Sequence, residues 1–302
     1  MAARATRSAS RKARLTEAVA TGPFGALSHD ELGVIFDGLA DPLQPVVAVA
    51  LSSTCLGLRT PLGAALEVLK ERHTKAMALC RKLGISCAEM HGADALDCMQ
   101  KGLTTDMATL AMILQTNGLP RLPALYLNSN SLGNAGIQAF CDGLGHGTLP
   151  SLHTLFLGGN NIGPVGAEAF AAALRRGALP KLSTLSLSNN PIGSQGMAAL
   201  AAPLRKLPAL TRLLLWNNQI GDEGVASLFA NLGKDDFKAL EELWLANNQL
   251  TDTGMTTLVT ALHAGRLPLL NHDHDKKYFL EPNRASASAT QAVEDALVKR
   301  SQ

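Results

Sequence analysis

The stretch LTRLLLWNNQIGDEG, Leu210–Gly224, returns with substitutions at four other places in the chain. It reads LPALYLNSNSLGNAG from Leu122, LHTLFLGGNNIGPVG from Leu152, LSTLSLSNNPIGSQG from Leu182 and LEELWLANNQLTDTG from Leu240. The shared pattern is L-x-x-L-x-L-x-x-N-x-[LI]-x-x-x-G. Its asparagines are Asn130, Asn160, Asn190, Asn218 and Asn248, separated by 30, 30, 28 and 30 residues. Self-similarity at a fixed period of this length is the mark of a solenoid.

Each copy reads as one strand followed by one helix. The L-x-L alternation sends Leu125 and Leu127 inward, as strand periodicity requires. After the glycine the spacing turns helical: Ile137, Phe140 and Leu144 in the first copy, Val225, Leu228, Phe229 and Leu232 in the fourth. A strand and a helix cannot close a core alone, but stacked copies can, with a parallel sheet inside and helices outside. The asparagine sits where the strand gives way to a loop and backbone groups lose their ladder partners. Its amide both donates and accepts, so Asn130 and its equivalents are expected to be structural. Upstream, LDCMQKGLTTDMATLAMIL from Leu96 fits one degenerate copy, with Cys98 for the second strand leucine, Lys101 for the asparagine and Met107 for the glycine.

These repeats, with their N-x-[LI]-G-x-x-G turn, resemble ribonuclease-inhibitor-type leucine-rich repeats over roughly residues 90 to 270. The resemblance implies an α/β solenoid: a curved arc with a parallel concave sheet and outer helices, here preceded by an N-terminal helical region. The position between the two strand leucines reads Tyr126, Phe156, Ser186, Leu214, Trp244, and two places on it reads Asn128, Gly158, Ser188, Trp216, Ala246. Both tryptophans and one of the two tyrosines thus fall on the outer side of the sheet. Such rings bury ~150–250 Å² each, roughly 4–6 kcal/mol of gross hydrophobic gain at ~25 cal/mol/Å². Tyr126, Phe156, Leu214, Trp216 and Trp244 are therefore the expected partner-binding residues, with Arg212 and Glu242 as a polar rim.

The preceding GALSHDELGVIFDGLADPLQPVVAVALSSTCLGLR, residues 25–59, reads as short helices broken by Pro42 and Pro45. Ser28 and Glu31 form a capping box, and Leu32, Ile35, Phe36 and Leu39 make one apolar face. The stretch resembles a degenerate F-box, with Ser28 where that family has proline and Cys55 or Leu56 where a tryptophan is common. The resemblance implies docking to a Skp-type adaptor of a cullin–RING ubiquitin ligase through Leu27, Ile35, Phe36 and Leu39. The alternative is a set of amphipathic helices that cover the open end of the solenoid. PLGAALEVLKERHTKAMALCRKLG, Pro61–Gly84, is a long amphipathic helix ending in a glycine stop.

The expected organisation is a basic tail over 1–22, the F-box-like region over 23–62, a helix and the degenerate repeat over 63–119, five repeats over 120–270 and a C-terminal cap over 271–302. The tail carries Arg4, Arg7, Arg11, Lys12 and Arg14 with no acid before Glu17, a composition of a disordered basic tail or of an organelle transit peptide. The rest points to a cytoplasmic or nuclear protein: five irregularly spaced cysteines, Cys55, Cys80, Cys87, Cys98 and Cys141, read as free thiols.

In LPLLNHDHDKKYF, from Leu267, the repeat register puts Asp273 and Asp275 at core positions, where unpaired carboxylates cost several kcal/mol. The repeats are expected to stop there. SASATQAVEDALVKR would return as a helix covering the exposed end with Ala292, Val293, Ala296 and Leu297. His272 and His274 are too few for a structural zinc site.

Function classes narrow accordingly. There is no GxSxG elbow, P-loop, HExxH or dinucleotide fingerprint, so neither catalytic residues nor a cofactor nor a metal is expected. A net charge near +2 gives no strong pull toward nucleic acid, and no apolar run reaches a membrane span. The expected role is a non-enzymatic protein-interaction module, monomeric outside its complex. It would act as a ubiquitin-ligase substrate receptor or as a stand-alone scaffold. The Ran GTPase-activating proteins use the same repeat class, but with longer arcs and a marked acidic tail that VEDALVKRSQ does not match.

Overall fold

The computed structural model describes residues 35–36, 39–54, 63–116, 119–146, 148–229, 232–270 and 279–299. The basic tail, Leu27, the Ser28–Glu31 capping box, Cys55 and the His272–Asp275 alternation lie outside them. The chain forms two units, one of residues up to His91 with 116–118, the other of Gly92–Gln115 and everything from Leu119.

In the first unit, α1 (Val46–Thr54) starts directly after Pro45, whose fixed φ suits a helix entry. The helix α2 (Gly63–Leu83) stops at Gly84, which takes φ 81°, and is followed by the short α3 (Cys87–His91). Phe36, 1% exposed, packs with Ala40, Ala48 and Leu69, flanked by Ala65 and Leu66. This corrects one expectation drawn from the F-box resemblance: the ring of Phe36 fills the interior of its own unit and offers no docking surface. Ile35 is half-buried and Leu39 is 37% exposed.

The second unit alternates strand and helix: β1 (Leu96–Asp97), α4 (Met107–Gln115), β2 (Ala124–Tyr126), α5 (Gly133–Asp142), β3 (Thr154–Phe156), α6 (Pro164–Arg175), β4 (Thr184–Ser186), α7 (Gly193–Arg205), β5 (Arg212–Leu214), α8 (Asp222–Phe229), β6 (Glu242–Trp244) and α9 (Asp252–His263). The final helix is α10 (Ala287–Val298). The strands form one parallel, six-stranded sheet in chain order. Its register aligns Leu96, Leu125, Leu155, Leu185, Leu213 and Leu243. These leucines are buried, and so are their partners two places on, from Cys98 through Leu127, Leu157, Leu187, Leu215 and Leu245. The helices supply the other wall, for example with Phe140, Phe170, Leu200 and Leu228, and each packs on the next. Each large side chain so buried contributes about 1.5–3 kcal/mol of transfer free energy.

The repeat glycine has a packing reason. A Cβ on Gly166 would stand 2.6 Å from Ile137 Cγ2 and 2.8 Å from Asn134 Oδ1, both in the preceding repeat. Only a glycine lets consecutive helices approach so closely. Met107 holds this position in the degenerate repeat, fully buried at the outer end of the stack.

The end of the solenoid differs from the sequence expectation. Beyond residues 271–278 the chain returns to the stack: Leu245 N–H donates to Phe279 O at 2.7 Å and Asn247 N–H to Pro282 O at 2.6 Å. Asn283 occupies the next asparagine position, accepting at Oδ1 from the amides of Asn248 at 3.1 Å and Leu250 at 3.2 Å. The stack therefore gains one more turn, built on Leu280 and Asn283 rather than on Asp273 and Asp275. Helix α10 then buries Thr290, Val293, Ala296 and Leu297 and leaves Ala292 exposed.

Candidate protein-interaction face

Two hydrogen-bonded spines hold the face in place. The first is the asparagine ladder. Asn160 donates from Nδ2 to the carbonyls of Leu127 and Leu157, at 2.8 and 3.0 Å, while its Oδ1 accepts the amide of Asn130 at 2.9 Å. Asn190 repeats this with Leu157 and Leu187, and its Oδ1 accepts from Asn160 and Ile162, both at 2.9 Å. Asn248 does the same with Leu215 and Leu245, accepting from Asn218 and Ile220. At the start of the stack, Asn130 Oδ1 accepts from Lys101 and Leu103. A buried peptide group without such a partner costs on the order of 1–3 kcal/mol.

The second spine went unread in the sequence, because its residue type varies. Four places after the asparagine, a side chain accepts the amides that open the next helix. Asn134 Oδ1 accepts from Gly163 at 2.8 Å and Gly166 at 3.0 Å, and Ser194 Oγ accepts from Gly221 at 3.0 Å. Asp222 Oδ1 accepts from Thr251 at 2.8 Å and Gly254 at 3.0 Å. Asp252 holds the amide of Ser286 at 2.7 Å, ahead of α10. These are helix caps supplied from the neighbouring repeat. The signal available was the run Asn, Pro, Ser, Asp, Asp at one register position, mostly N-cap residue types.

On the open side of the sheet, Tyr126, Phe156, Leu214 and Trp244 form one row and Asn128, Gly158, Ser188 and Trp216 another. Tyr126, Phe156, Leu214, Trp216, Trp244 and Glu242 are half-buried and Arg212 is exposed. The Tyr126 and Phe156 rings meet edge to face, centroids 5.4 Å apart at 84°, an arrangement favoured by their quadrupoles. Between the bulky groups lie Gly158, Ser186 and Ser188, and a Cβ on Gly158 would sit 3.2 Å from Ser188 O. Arg212 Nε donates to Thr184 Oγ1 of the neighbouring strand at 3.1 Å. The row thus sets an aromatic pair and a Leu–Trp–Trp group on either side of a stretch of small residues. Phe279, absent from the sequence reading, is placed next along the row by its bond to Leu245 and is itself buried.

Little on the described residues suggests bond-making chemistry. Burial, joined by Asp97, pushes the Cys98 thiol up to about 12, and burial does the same to Cys141; both are core residues. Among the described residues no three His, Cys, Asp or Glu side chains gather as metal ligands, and no helix is long and apolar enough to cross a membrane.

A match to a family model agrees with this geometry. The Leucine Rich repeat family model matches residues 148–171, 178–201, 207–229 and 239–259. No curated protein matches the chain in sequence. Among solved structures, the TLR13–ssRNA13 complex contains a similar chain at 21% identity and TM-score 0.35, over 58% of this chain and 22% of that one. The Rad7–Elc1 complex in yeast contains another at 14% identity and TM-score 0.34, over 97% of this chain and 83% of that one. The four matched segments are the third to sixth strand–helix units of the sheet, and the second unit of this chain is an α/β solenoid of leucine-rich repeats.

Proposed function

We propose that this chain is a protein-interaction module that binds a protein partner on the open face of its parallel sheet. The observation that supports the reading is the company kept by Trp216 and Trp244. Surface positions on a solenoid strand carry polar residues at no cost, yet here Tyr126, Phe156, Leu214, Trp216 and Trp244 remain half-exposed in adjoining rows. Partly exposed apolar side chains gathered on one face mark an interaction site, and Trp and Tyr are the residue types that dominate binding energy. Arg212 and Glu242, of opposite charge and paired in register across β5 and β6, supply a polar edge.

The test is capture of the native partner by full-length bait, followed by affinity measurement with that partner purified. Trp216→Ala with Trp244→Ala should weaken the dissociation constant by 100-fold or more, about 2.7 kcal/mol at 1.36 kcal/mol per tenfold, with the fold intact by circular dichroism. Undiminished affinity in the folded double variant ends the proposal.

The finer form of the proposal is docking of a Skp-type adaptor on the first unit. With Phe36 interior, Leu39 is the exposed residue of the described set. Leu39→Asp should remove an adaptor from the purified complex; a complex that never contains one leaves the scaffold role.

A further inference from the structure

Helices α2 and α3 bring three sulfurs together at the corner formed by Gly84–Ser86. Cys80 Sγ lies 3.3 Å from Cys87 Sγ and 3.8 Å from Met90 Sδ. The first distance is shorter than an ordinary contact between sulfur atoms, and a disulfide would bring the pair to about 2 Å. The two cysteines differ in access. Cys80 is 2% exposed in the core of its unit, whereas Cys87 is half-buried at the start of a short helix. A cavity of about 560 Å³ opens beside them, walled by His73, Met77, Arg81, Ile85 and Ser86 as well as the two thiols. A small charged molecule can therefore reach Cys87, with the Arg81 guanidinium at hand for an anionic one.

We propose that Cys80 and Cys87 are a redox-active dithiol, oxidised by a low-molecular-weight disulfide of the glutathione type to an intramolecular Cys80–Cys87 disulfide. In the first step Cys87 gives up its proton and its thiolate attacks one sulfur of the small disulfide. The S–S bond of that molecule breaks, Cys87 becomes a mixed disulfide, and one small thiol leaves with a proton. In the second step the Cys80 sulfur, its proton passed to solvent, attacks Cys87 Sγ. The new protein S–S bond forms and the second small thiol leaves. Two protein thiols are oxidised and one small disulfide is reduced to two thiols, so atoms and electrons balance.

The order follows from the surroundings. Burial, and then the adjacent Cys87, push the Cys80 thiol up to about 12, so Cys80 is the resolving rather than the attacking sulfur. The product fastens the C-terminal turn of α2 to the N-terminus of α3. It closes a loop of only a few residues across Gly84, whose φ of 81° makes the turn.

The test uses the folded full-length chain treated with oxidised glutathione, its remaining thiols then alkylated, and tryptic peptides mapped without reduction. The expected product links peptide 76–81, which holds Cys80, to peptide 83–101 through Cys87, and dithiothreitol separates them. In Cys80→Ser, Cys87 should instead stay trapped as the glutathione mixed disulfide; in Cys87→Ser, Cys80 should remain a free thiol. The proposal is overturned if the wild-type chain keeps both residues alkylatable. It is equally overturned if Cys87 ends as a stable mixed disulfide while Cys80 lies untouched beside it, or if Cys80 itself takes up glutathione in Cys87→Ser.

Discussion

Asn218 Oδ1, the ladder acceptor that follows Asn190, accepts no hydrogen bond among the described residues. In three other repeats the residue after the ladder asparagine takes a left-handed conformation: Ser131 at φ 52°, Asn161 at 56° and Gln219 at 60°. In two of them the following amide reaches the next repeat: Ile162 donates to Asn190 Oδ1 and Ile220 to Asn248 Oδ1. A proline is locked near φ −65° and cannot follow. The amide of Ile192 turns back instead onto Asn190 O at 2.9 Å. Asn218 is 0% exposed, and its Oδ1 finds no partner among the described residues. The interruption falls at the single place where the repeat spacing drops to 28 residues.

Pro191→Asn should therefore stabilise the protein. Asparagine accepts the left-handed conformation at little cost, and satisfying a buried acceptor gains about 1–3 kcal/mol. Loss of the proline returns about 0.4–1 kcal/mol of freedom to the unfolded chain. The net expectation is about 1 kcal/mol, read as a higher urea midpoint at unchanged slope. A lower midpoint would show that the repeat is built around Pro191.

The same break makes the ladder asparagines unequal. Asn190 uses both ends of its amide, accepting twice and donating to Leu157, Leu187 and Ser188. The Asn218 amide donates to Trp216 O at 3.2 Å and accepts nothing. At about 1 kcal/mol per bond, the two acceptor bonds that Asn190 makes and Asn218 lacks should by themselves make Asn190→Ala about 2 kcal/mol costlier than Asn218→Ala in equilibrium unfolding. Equal losses would mean that a water molecule completes the ladder at Asn218.

Most of this solenoid could be read from periodicity, because stacking forces the same leucines and asparagines to recur. What was illegible had physical causes. The cap spine of Asn134, Ser194, Asp222 and Asp252 needs only an acceptor oxygen, so residue type drifts and no letter repeats. Asn283 was hidden by a spacing of 35 residues from Asn248, which placed Asp273 and Asp275 in the strand register by arithmetic alone. The short signal L-x-x-N, here Leu280 to Asn283, was present in the same form as Leu127 to Asn130. Phe36 belonged to an amphipathic pattern that says which face is apolar, not whether that face meets the protein's own core or a partner.

Asn283 closes the ladder, and its removal should act locally. It accepts from Asn248 and Leu250 and donates to the carbonyls of Leu245 and Leu280. Asn283→Ala should cost about 2–3 kcal/mol at roughly 1 kcal/mol per bond. Hydrogen exchange should speed up at the Asn248 and Leu250 amides and stay unchanged at Asn160. Exchange rising evenly through the stack would instead mean that the last turn does not open separately.

Asp236 gives the protein a pH-dependent tie in its fourth repeat. Its carboxylate is 4% exposed, and burial alone would push its pKa up. The Lys206 ammonium at 2.6 Å, the Gly233 amide at 2.9 Å and the Arg205 charge outweigh that and hold it below the usual carboxylate value. A carboxyl with a lowered folded-state pKa contributes stability that is complete above its unfolded pKa, near 4, and is lost as pH falls through the folded value. Asp236→Asn keeps the shape but removes the charge, so it should cost on the order of 1–2 kcal/mol at pH 7, the range of a hydrogen bond to a charged group less solvent screening of Lys206. Thermal melts of both proteins from pH 7 down to about pH 2 should converge, since the wild type alone loses this tie on acidification. A gap that stays constant across that range would mean that the difference between the two proteins does not come from ionisation of Asp236.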